Sequence, residues 1–454
     1  MIKSENTRLI VLELLLTMEK EQLPSHVAIS ACLDKYSYLP RQDRAFIKRL
    51  TEGTLEYRLQ LDYLLGRFSS VAVKDLRLPI LMILRLSLYQ ILYMDRVPDS
   101  AAVNEAVQLT QKKGFFPLKG FVNGVLRTVI RHKDSLPWPD RNDLVACLSV
   151  GYSMPVWLVD KWIHEQGYKA TKAMLKAFLA PKDLVVRMNI GCFAEAEILD
   201  SLKRQNIFYA RLDFPDYGLR LSGYESVEQI KAFCDGMIQV QDRSSMLVGA
   251  VAGVKGGELI LDICAAPGGK CLHLADRLVG CGRGGRVIAR DISESKVALI
   301  RENAARTPEL PVDAEVFDAT VSDAALLEQA DIVIADVPCS GLGVIGRKPD
   351  IKYRMTDWQI EELVSLQRKI LEQAVRYVKP GGTLIFSTCT VSRQENEENV
   401  KWLLENLPLA LDSLEPYLPG YLHTSQSRTG YLQLLPQEGK GDGFFIARLK
   451  RVQL

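Results

Sequence analysis

From Val254 onward, short apolar segments alternate with amphipathic ones, and this alternation constrains the fold more than any other feature of the chain. The sequence predicts strands at 258–263, 285–291, 313–317, 331–336 and 382–387, with helices at 270–278, 293–306 and 356–377. Alternating strands and helices require crossover connections, which predicts a mostly parallel sheet covered by helices. Near the end, YLQLLP and GFFIARLK flank EGKGDG and predict an antiparallel hairpin. We expect a ligand site at the carboxyl ends of the parallel strands.

The residues before this region show two other patterns. Residues 1–140 repeat apolar positions at three- and four-residue spacing, with prolines between the segments, which predicts an all-α domain. Residues 141–235 mix helical segments with the strand-like LVVRMNI and GLRLSG, which predicts a small α+β connector domain. We therefore predict three domains, at 1–140, 141–235 and 236–454.

The composition excludes several classes of protein. The chain is 47% apolar and 25% charged, as in ordinary globular proteins, and no apolar run reaches the roughly 20 residues that span a bilayer. Nine scattered cysteines in 454 residues do not resemble a disulfide framework, so we expect a reducing, cytoplasmic location. The sequence has no CxxC pair and no clustered histidines, so we expect no metal site.

The helical region is the basic part of the chain. Residues 1–140 carry 20 basic and 15 acidic residues, and no acid occurs between 106 and 133. A stretch of this kind can bind the phosphate backbone of a nucleic acid, and a merely solvated helix face is the alternative. The candidate contacts are Lys112, Lys113, Lys119, Arg127 and Arg131.

Three strand ends in the last domain indicate a nucleoside-containing cofactor. The first predicted strand runs into the turn Cys264-Ala265-Ala266-Pro267-Gly268-Gly269-Lys270, where glycines allow a close approach and a helix begins. Asp291 ends the second strand, where an acid suits ribose hydroxyls, and Asp318 follows the third, where an acceptor could meet an adenine amino group. Any one of these elements alone could be an ordinary strand–turn–helix with solvated acids.

Two cysteines follow the next two strands. Cys339 lies in Asp336-Val-Pro-Cys, and Cys389 lies in Ser-Thr-Cys-Thr. A lone cysteine is usually a buried, inert side chain. Two at the same edge of one sheet, beside a cofactor turn, indicate covalent thiol chemistry.

These motifs jointly resemble the RNA 5-methylcytosine methyltransferases. The resemblance rests on DICAAPGGK, on DVPCSGLG followed by RKPDIKYR, and on STCT. In addition, RQDRAFIKRLTEGTLEYR and VPDSAAVNEAVQLTQKKGFFPLKGFVNGVLRTVIR resemble the NusB-type RNA-binding domain of the bacterial branch that methylates 16S ribosomal RNA. The implied fold is an all-α NusB-like domain, a small α+β connector and a Rossmann-like class I methyltransferase domain.

The resemblance also implies the chemistry and the residue roles. It implies S-adenosylmethionine as cofactor, 16S ribosomal RNA as partner, and methylation of cytosine C5 through a covalent bond between a cysteine and C6. Cys389 would be the nucleophile, and Cys339 would assist product release. The turn Cys264–Lys270 would bind the cofactor, with Asp291, Asp318 and Asp336 beside it. Asp336 could also hydrogen-bond the base, and Lys270 could either reach the methionine carboxylate or support Asp336.

Basic residues after the Cys339 loop lie where an RNA backbone would pass, and Tyr353 could stack on a base. These residues are Arg347, Lys348, Lys352 and Arg354. Arg243, Arg290 and Cys271 depart from the family pattern near the cofactor turn.

Three alternatives stay open. The enzyme could act on transfer RNA or 23S ribosomal RNA, although the NusB-like region favours 16S RNA. It could be a non-catalytic RNA-binding, antitermination-like factor, against which the two intact cysteines argue. An exocyclic-amine methyltransferase is disfavoured, because Asp336-Val-Pro-Cys339 replaces the polar-Pro-Pro-aromatic motif such enzymes need. We expect a monomer without metal or membrane association.

Overall fold

The computed structural model describes residues 6–453, and its contacts divide the chain into two compact units. The first unit runs to Leu179 and also includes Ile345–Arg354, while the second comprises Ala180–Val344 and Met355–Leu454. The predicted boundary after residue 140 falls inside the first unit and the one after residue 235 inside the second, so the division into three domains stays a prediction. Residues 1–5 and 454, at the ends of two predicted domains, lie outside the described residues.

The helices are α1 (Thr7–Glu21), α2 (Ser25–Lys35), α3 (Arg41–Glu56), α4 (Arg58–Phe68), α5 (Leu78–Tyr93), α6 (Asp99–Lys112), α7 (Lys119–Arg131), α8 (Leu144–Gly151), α9 (Val156–Gln166), α10 (Tyr168–Leu179), α11 (Glu195–Arg204), α12 (Lys231–Cys234), α13 (Arg243–Ala252), α14 (Gly269–Cys281), α15 (Glu294–Ala305), α16 (Ile351–Arg354), α17 (Asp357–Tyr377), α18 (Glu397–Asn406) and α19 (Ser425–Thr429). The strands are β1 (Leu184–Met188), β2 (Phe208–Arg211), β3 (Gly218–Ser222), β4 (Ile238–Val240), β5 (Leu259–Asp262), β6 (Arg286–Asp291), β7 (Val312–Val316), β8 (Ala330–Asp336), β9 (Val378–Thr388), β10 (Leu409–Leu411), β11 (Tyr431–Leu434) and β12 (Phe444–Arg451).

Helix α5 forms the centre of the first unit. Every residue from Ile80 to Ile91 is buried, so this helix is surrounded by other helices on all sides. Its buried Arg85 is neutralised by Asp62 of α4, with 2.6 Å between Nη2 and Oδ2. The ring of Tyr89 leaves no room for a side chain on α3, since a Cβ at Gly53 would lie 1.9 Å from it. The predicted all-helical character of this region is confirmed.

The second unit contains two sheets. The smaller sheet is antiparallel, with strand order β2-β3-β1-β4, and it supplies the strands that the connector pattern predicts. The larger sheet has the order β10-β12-β9-β8-β5-β6-β7, with β11 also paired to β12. Strands β5 to β9 run parallel, while β10 and β11 pair antiparallel with β12. The predicted parallel sheet and terminal hairpin are confirmed, and β10 is an additional strand.

Alternate residues of the parallel strands face two separate apolar layers. Ile260 and Ile334 pack with residues of α13 and α14 on one face. Leu261 and Val333 pack with residues of α17 and α18 on the other. Helices therefore cover both faces, as a buried parallel sheet requires. Strand order changes direction between β5 and β8, and such a switch point opens a crevice at the carboxyl ends of the strands.

None of the helices within residues 6–453 combines the length and the apolar character needed to cross a membrane.

Candidate active site

Four strand ends meet at the crevice between β5 and β8. Strand β5 leads into the turn 263–269, β6 ends at Asp291, β8 ends at Asp336, and β9 ends one residue before Cys389. The registers bring these ends to one edge: Asp262 lies opposite Ile334, and Asp336 lies opposite Ser387. The same edge therefore holds the glycine turn, three aspartates and a cysteine, as the strand predictions required.

The glycine turn is tied to the end of β6. Gly268 has a φ of 111°, a left-handed conformation that only glycine adopts without strain, and it precedes the first residue of α14. The Ala265 N–H donates to the Arg290 carbonyl at 2.8 Å, and the Ala266 N–H donates to Asp291 Oδ2 at 3.0 Å. A Cβ at Gly269 would meet nothing within 4 Å, so the start of α14 faces open space. This geometry leaves a cradle between the helix start and Asp291.

Lys270 and Asp336 form an ion pair at the centre of the site. The Lys270 ammonium donates to Asp336 Oδ2 at 2.6 Å, and the Ser387 hydroxyl donates to Oδ1 at 2.8 Å. Burial by itself would lower the pKa of Lys270, but the charge and hydrogen bond of Asp336 outweigh it and raise that pKa. Lys270 therefore carries its positive charge, and the pair fixes the Asp336 carboxylate.

A second carboxyl group lies behind this pair. Asp262 is fully buried, and burial together with the negative charge of Asp336 raises its pKa to about 7, against the opposing charge of Lys270. The single positive charge of Lys270 is thus shared by two buried or half-buried acids, Asp262 and Asp336. The net charge of this cluster changes as Asp262 titrates near neutral pH.

The two cysteines that the sequence singled out are in contact. The Sγ atoms of Cys339 and Cys389 are 3.4 Å apart, a hydrogen-bond contact, and the two cysteines do not form a disulfide. The hydrogen bond to Cys389, burial, and the negative charges of Cys389 and Glu395 raise the pKa of Cys339 well above its usual range. Cys339 is therefore held in its protonated form, so its thiol can donate toward Cys389.

The backbone around Gly343 holds the Cys339 loop against β9. The Gly343 N–H donates to the Cys389 carbonyl at 3.0 Å, and the Gly443 N–H donates to the Gly343 carbonyl at 2.9 Å. A Cβ at Gly343 would lie 2.3 Å from the Gly443 oxygen and 2.7 Å from the Cys389 oxygen. Only glycine allows this close approach.

Sequence reasoning missed a buried polar network beside the cysteines. Glu395, Asn396, Gln367 and Asn399 are all buried and hydrogen-bonded to one another or to the cysteine loops. In the sequence, Glu395 and Asn396 belong to the polar run QENEEN at the start of α18, which resembles a solvated helix start. Nothing in that pattern distinguishes them from exposed residues.

Asp291 and Asp318 lie at the ends of adjacent strands, as predicted. Asp291 is buried; its Oδ1 accepts from the Ile292 N–H at 2.8 Å and lies 3.1 Å from Lys296 Nζ. Asp318 is exposed after β7, and its Oδ1 accepts from the backbone and hydroxyl of Thr320, which lower its pKa. Their contacts with a cofactor stay predictions.

The departures from the family pattern have structural partners. Arg290 pairs with Glu315 and Asp323 at 2.6 Å each, and Cys271 is buried with its thiol donating to the Gly268 carbonyl at 3.2 Å. Arg243 donates to the Phe214 carbonyl at 2.9 Å.

Basic residues of α6 and α7 lie at the surface of the first unit. Lys112, Arg127 and Arg131 are exposed. Lys113 forms an ion pair with Glu13 at 2.8 Å, and the Lys119 ammonium lies 3.9 Å from the centre of the Phe116 ring. Binding of RNA by these residues stays a prediction.

The segment Ile345–Arg354 belongs to the helical unit, and this corrects one expectation. Lys352 is 1% exposed and donates to the Glu56 carbonyl at 2.8 Å, so it cannot contact an RNA backbone. The Tyr353 hydroxyl is 3.3 Å from the same carbonyl, and the Arg58 guanidinium lies over its ring, which counts against stacking on a base.

The three other basic residues of the segment differ in exposure. Arg347 and Lys348 are exposed, while Arg354 is half-buried and donates to the Leu23 carbonyl at 2.6 Å. Their contacts with RNA stay predictions. Among residues 6–453, no group of three or more His, Cys, Asp or Glu side chains could hold a metal ion.

Comparison with known proteins agrees with this geometry. A family model described as "16S rRNA methyltransferase RsmB/F" matches residues 251–450, and the NusB family model matches residues 5–131. The chain is 35% identical over 454 residues to the "Probable ribosomal RNA small subunit methyltransferase B" of Bacillus subtilis, covering 99% of this chain and 100% of that protein. The chain belongs to the RsmB/F family of 16S rRNA methyltransferases. The Cronobacter sakazakii "Ribosomal RNA small subunit methyltransferase B" is 31% identical over 413 residues, 90% of each chain.

Solved structures share the fold of this RsmB/F chain. The crystal structure of PH0851 is similar with a TM-score of 0.80 and 24% identity, covering 98% of this chain and 99% of that one. The structure of NSun6 from Pyrococcus horikoshii with SFG, an S-adenosylmethionine analogue, gives 0.57 and 21%, covering 66% and 99%. The three-part helical, α+β and Rossmann-like fold class is thereby confirmed.

Membership of the RsmB/F family makes the chain a ribosomal RNA methyltransferase with S-adenosylmethionine as its cofactor. The residues present fit that cofactor. The open space at Gly269 admits a ligand against the backbone of a helix start, and the buried acid Asp291 is bonded to the same turn through the Ala266 N–H. An acid at the second strand of such a fold suits ribose hydroxyls.

Proposed function

We propose that this enzyme methylates C5 of a specific cytosine in 16S ribosomal RNA, with Cys389 as nucleophile and Cys339 as the group that assists product release. The observation that carries the proposal is the contact of the two sulfurs at 3.4 Å, beside the Lys270–Asp336 pair. The raised pKa of Cys339 supports its role as the thiol that keeps its proton, and Cys389 is the thiol proposed to react as a thiolate.

A thiol nucleophile is needed because cytosine C5 is itself a poor nucleophile. The Cys389 thiolate forms a bond to C6, and the electrons of the C5–C6 double bond move into the ring, which makes C5 electron-rich. The bound cofactor supplies the electrophilic methyl group that C5 accepts. A base then removes the C5 proton, the electron pair re-forms the C5–C6 double bond, and the C6–S bond breaks. Cys339, in contact with the leaving sulfur, is placed to assist this last step.

Asp336 is suited to hold the target base. Lys270 and Ser387 orient its carboxylate, so it can accept a hydrogen bond from the N4 amino group of the cytosine. In this proposal Lys270 acts by supporting Asp336. The turn Cys264–Lys270, Asp291 and Asp318 hold the cofactor, with Asp336 next to it.

RNA contacts are proposed for the exposed and half-buried basic residues of both regions singled out by the sequence: Lys112, Lys113, Lys119, Arg127, Arg131, Arg347, Lys348 and Arg354. The target cytosine must leave its stack to reach Cys389, so these contacts would hold the surrounding RNA.

The test is a comparison of two cysteine variants with a matched control. Cys389→Ser should abolish methyl transfer while cofactor binding, measured by calorimetry, persists. Cys339→Ala should accumulate a covalent protein–RNA adduct that survives a denaturing gel, because attack proceeds but release is impaired. Cys234→Ser, at an exposed cysteine outside the site, should behave as the native enzyme. Turnover by Cys389→Ser would contradict the role of the nucleophile, and absence of the adduct would contradict the role of Cys339.

A further inference from the structure

One buried carboxylate connects the loops that carry the two cysteines. Glu395 is completely buried just before α18. Its Oε1 accepts from the Ser340 N–H at 2.8 Å, and its Oε2 accepts from the Ser340 hydroxyl at 2.5 Å and the Thr390 hydroxyl at 3.3 Å. Ser340 directly follows Cys339, and Thr390 directly follows Cys389. A single side chain therefore holds both loops.

Two neighbours of Glu395 fix the residues that precede the cysteines. Gln367 of α17 donates its amide to Glu395 Oε1 at 3.0 Å and to the Pro338 carbonyl at 2.9 Å. Asn396 accepts from the Thr388 hydroxyl at 2.6 Å and donates to the Thr390 carbonyl at 3.1 Å. Hydrogen bonds therefore hold the residues immediately before and after both Cys339 and Cys389.

The hydrogen bonds of Glu395 match an ionised carboxylate. Its partners are an amide N–H, two hydroxyls and a side-chain amide, all of which can donate. A buried charge is costly, and a neutral amide could make similar contacts. The position of this charge next to the cysteine pair therefore calls for a reason beyond packing.

We propose that Glu395 is a positioning residue for methyl transfer: it holds the two cysteine loops in register and places its negative charge beside the cysteine pair. This inference rests on the proposed covalent function of the two cysteines. Geometry at the reacting atoms is critical, because a displacement of about 1 Å can reduce a rate by about 100-fold. The negative charge of Glu395 is also one of the causes that raise the pKa of Cys339.

Two variants test the positioning role and the charge of Glu395 separately. Glu395→Ala removes both the contacts and the charge. Glu395→Gln keeps the shape: its amide oxygen can accept from Ser340 and Gln367, and its amide nitrogen can donate to the Ser340 hydroxyl, which is free to rotate. The matched control is Glu398→Gln, which removes an exposed acid from the start of α18.

The experiment measures kcat, the KM for RNA, the cofactor Kd and the unfolding temperature of each variant. Glu395→Ala should lower kcat by about 100-fold, the cost of a misplaced reacting group, with the KM and the cofactor Kd little changed. Glu395→Gln should recover most of that loss. Glu398→Gln should match the native enzyme in every parameter.

The pH dependence of kcat tests the charge. The ionisable groups that face the cysteine pair are Glu395, Lys270 and Asp336, together with the two thiols themselves. With Glu395 neutralised and the others retained, Cys339 should lose its proton at lower pH. The alkaline limb of the kcat profile should therefore move to lower pH in Glu395→Gln, and not in Glu398→Gln.

Each outcome is decisive when the cysteine variants are run in parallel. A Glu395→Ala protein that unfolds at lower temperature, yet has native kcat while folded, would show a purely structural role and overturn the proposal. An alkaline limb that does not move in Glu395→Gln would overturn the role of the charge. If Glu395→Ala does not fold, the measurements on Glu395→Gln test the proposal in its place. Turnover by Cys389→Ser without an adduct from Cys339→Ala would instead reject the proposed function itself.

Discussion

Substitution of the buried acid behind the active site should make stability depend less on pH. Asp262 ends strand β5 with its side chain fully buried, and burial and Asp336 raise its pKa to about 7. An aspartate in an unfolded chain titrates near about 3.9. The folded protein therefore retains a proton that the unfolded chain has released. The proton on Asp262 therefore stabilises the folded state in full only below about pH 3.9, and this stabilisation is lost as the pH rises toward 7.

The size of the effect follows from the pKa difference. Each pKa unit corresponds to about 1.36 kcal/mol, so the ionised Asp262 costs the folded state roughly 4 kcal/mol above pH 7. Between pH 5 and pH 8 the stability lost through this group is roughly 3 kcal/mol. Asparagine has nearly the same shape and does not titrate. The stability of Asp262→Asn relative to the native enzyme should therefore rise by roughly 3 kcal/mol over that interval.

Urea unfolding of the cofactor-free protein at pH 5, 6, 7 and 8 measures this difference. Cofactor is left out, because binding to the folded state adds its own stabilisation. The control is Asp313→Asn, the same substitution at an exposed aspartate of β7. A difference between Asp262→Asn and the native enzyme that stays constant from pH 5 to pH 8 would refute the reasoning, since it would show that Asp262 does not titrate in this range.

Two further lysine substitutions test other parts of the account. Burial lowers the pKa of Lys352 to about 7, against the opposing charge of Glu56. The folded state therefore favours the neutral lysine: its stability is not reduced by this group above about pH 10.4, and it is reduced progressively as the pH falls to 7. Lys352→Met should raise the thermal unfolding temperature at pH 7, and this gain should shrink toward pH 10; a gain independent of pH would contradict the assignment. Lys270→Met leaves Asp336 without its cation and should lower kcat at least about 10-fold, as expected when a charged partner worth about 1.4 kcal/mol or more is lost. Lys401→Met, at an exposed lysine of α18, is its control, and native kcat in Lys270→Met would reject the support of Asp336.

The parallel sheet could be predicted because buried strands leave a local signal. Strands β6 and β8 end at Asp291 and Asp336, the residues predicted, since each is a short apolar run that stops at an acid. Strand β10 has only three residues, Leu409–Leu411, which is too short to show any periodicity. It forms because β12 offers an edge for pairing, and that edge exists only in the folded sheet.

The candidate site could be predicted in part for the same reason. Cys339 and Cys389 follow neighbouring parallel strands, so the topology alone brings them to one edge. The position of Glu395 between the two cysteine loops could not be predicted, because its burial depends on Ser340, 55 residues away in the chain. The same limit explains Lys352: its positive charge indicated an RNA contact, but its surroundings come from Glu56, 296 residues earlier.

We propose above that this RsmB/F enzyme places a methyl group on C5 of one cytosine of 16S ribosomal RNA. The direct measurement is transfer of labelled methyl from S-adenosylmethionine to unmodified, protein-free 16S RNA and to a partly assembled small subunit, with the modified base mapped and Cys389→Ser as the inactive control. We expect a single 5-methylcytosine in 16S RNA. Methylation of an exocyclic amine, transfer only to transfer RNA or 23S RNA, or no transfer to any RNA would contradict it.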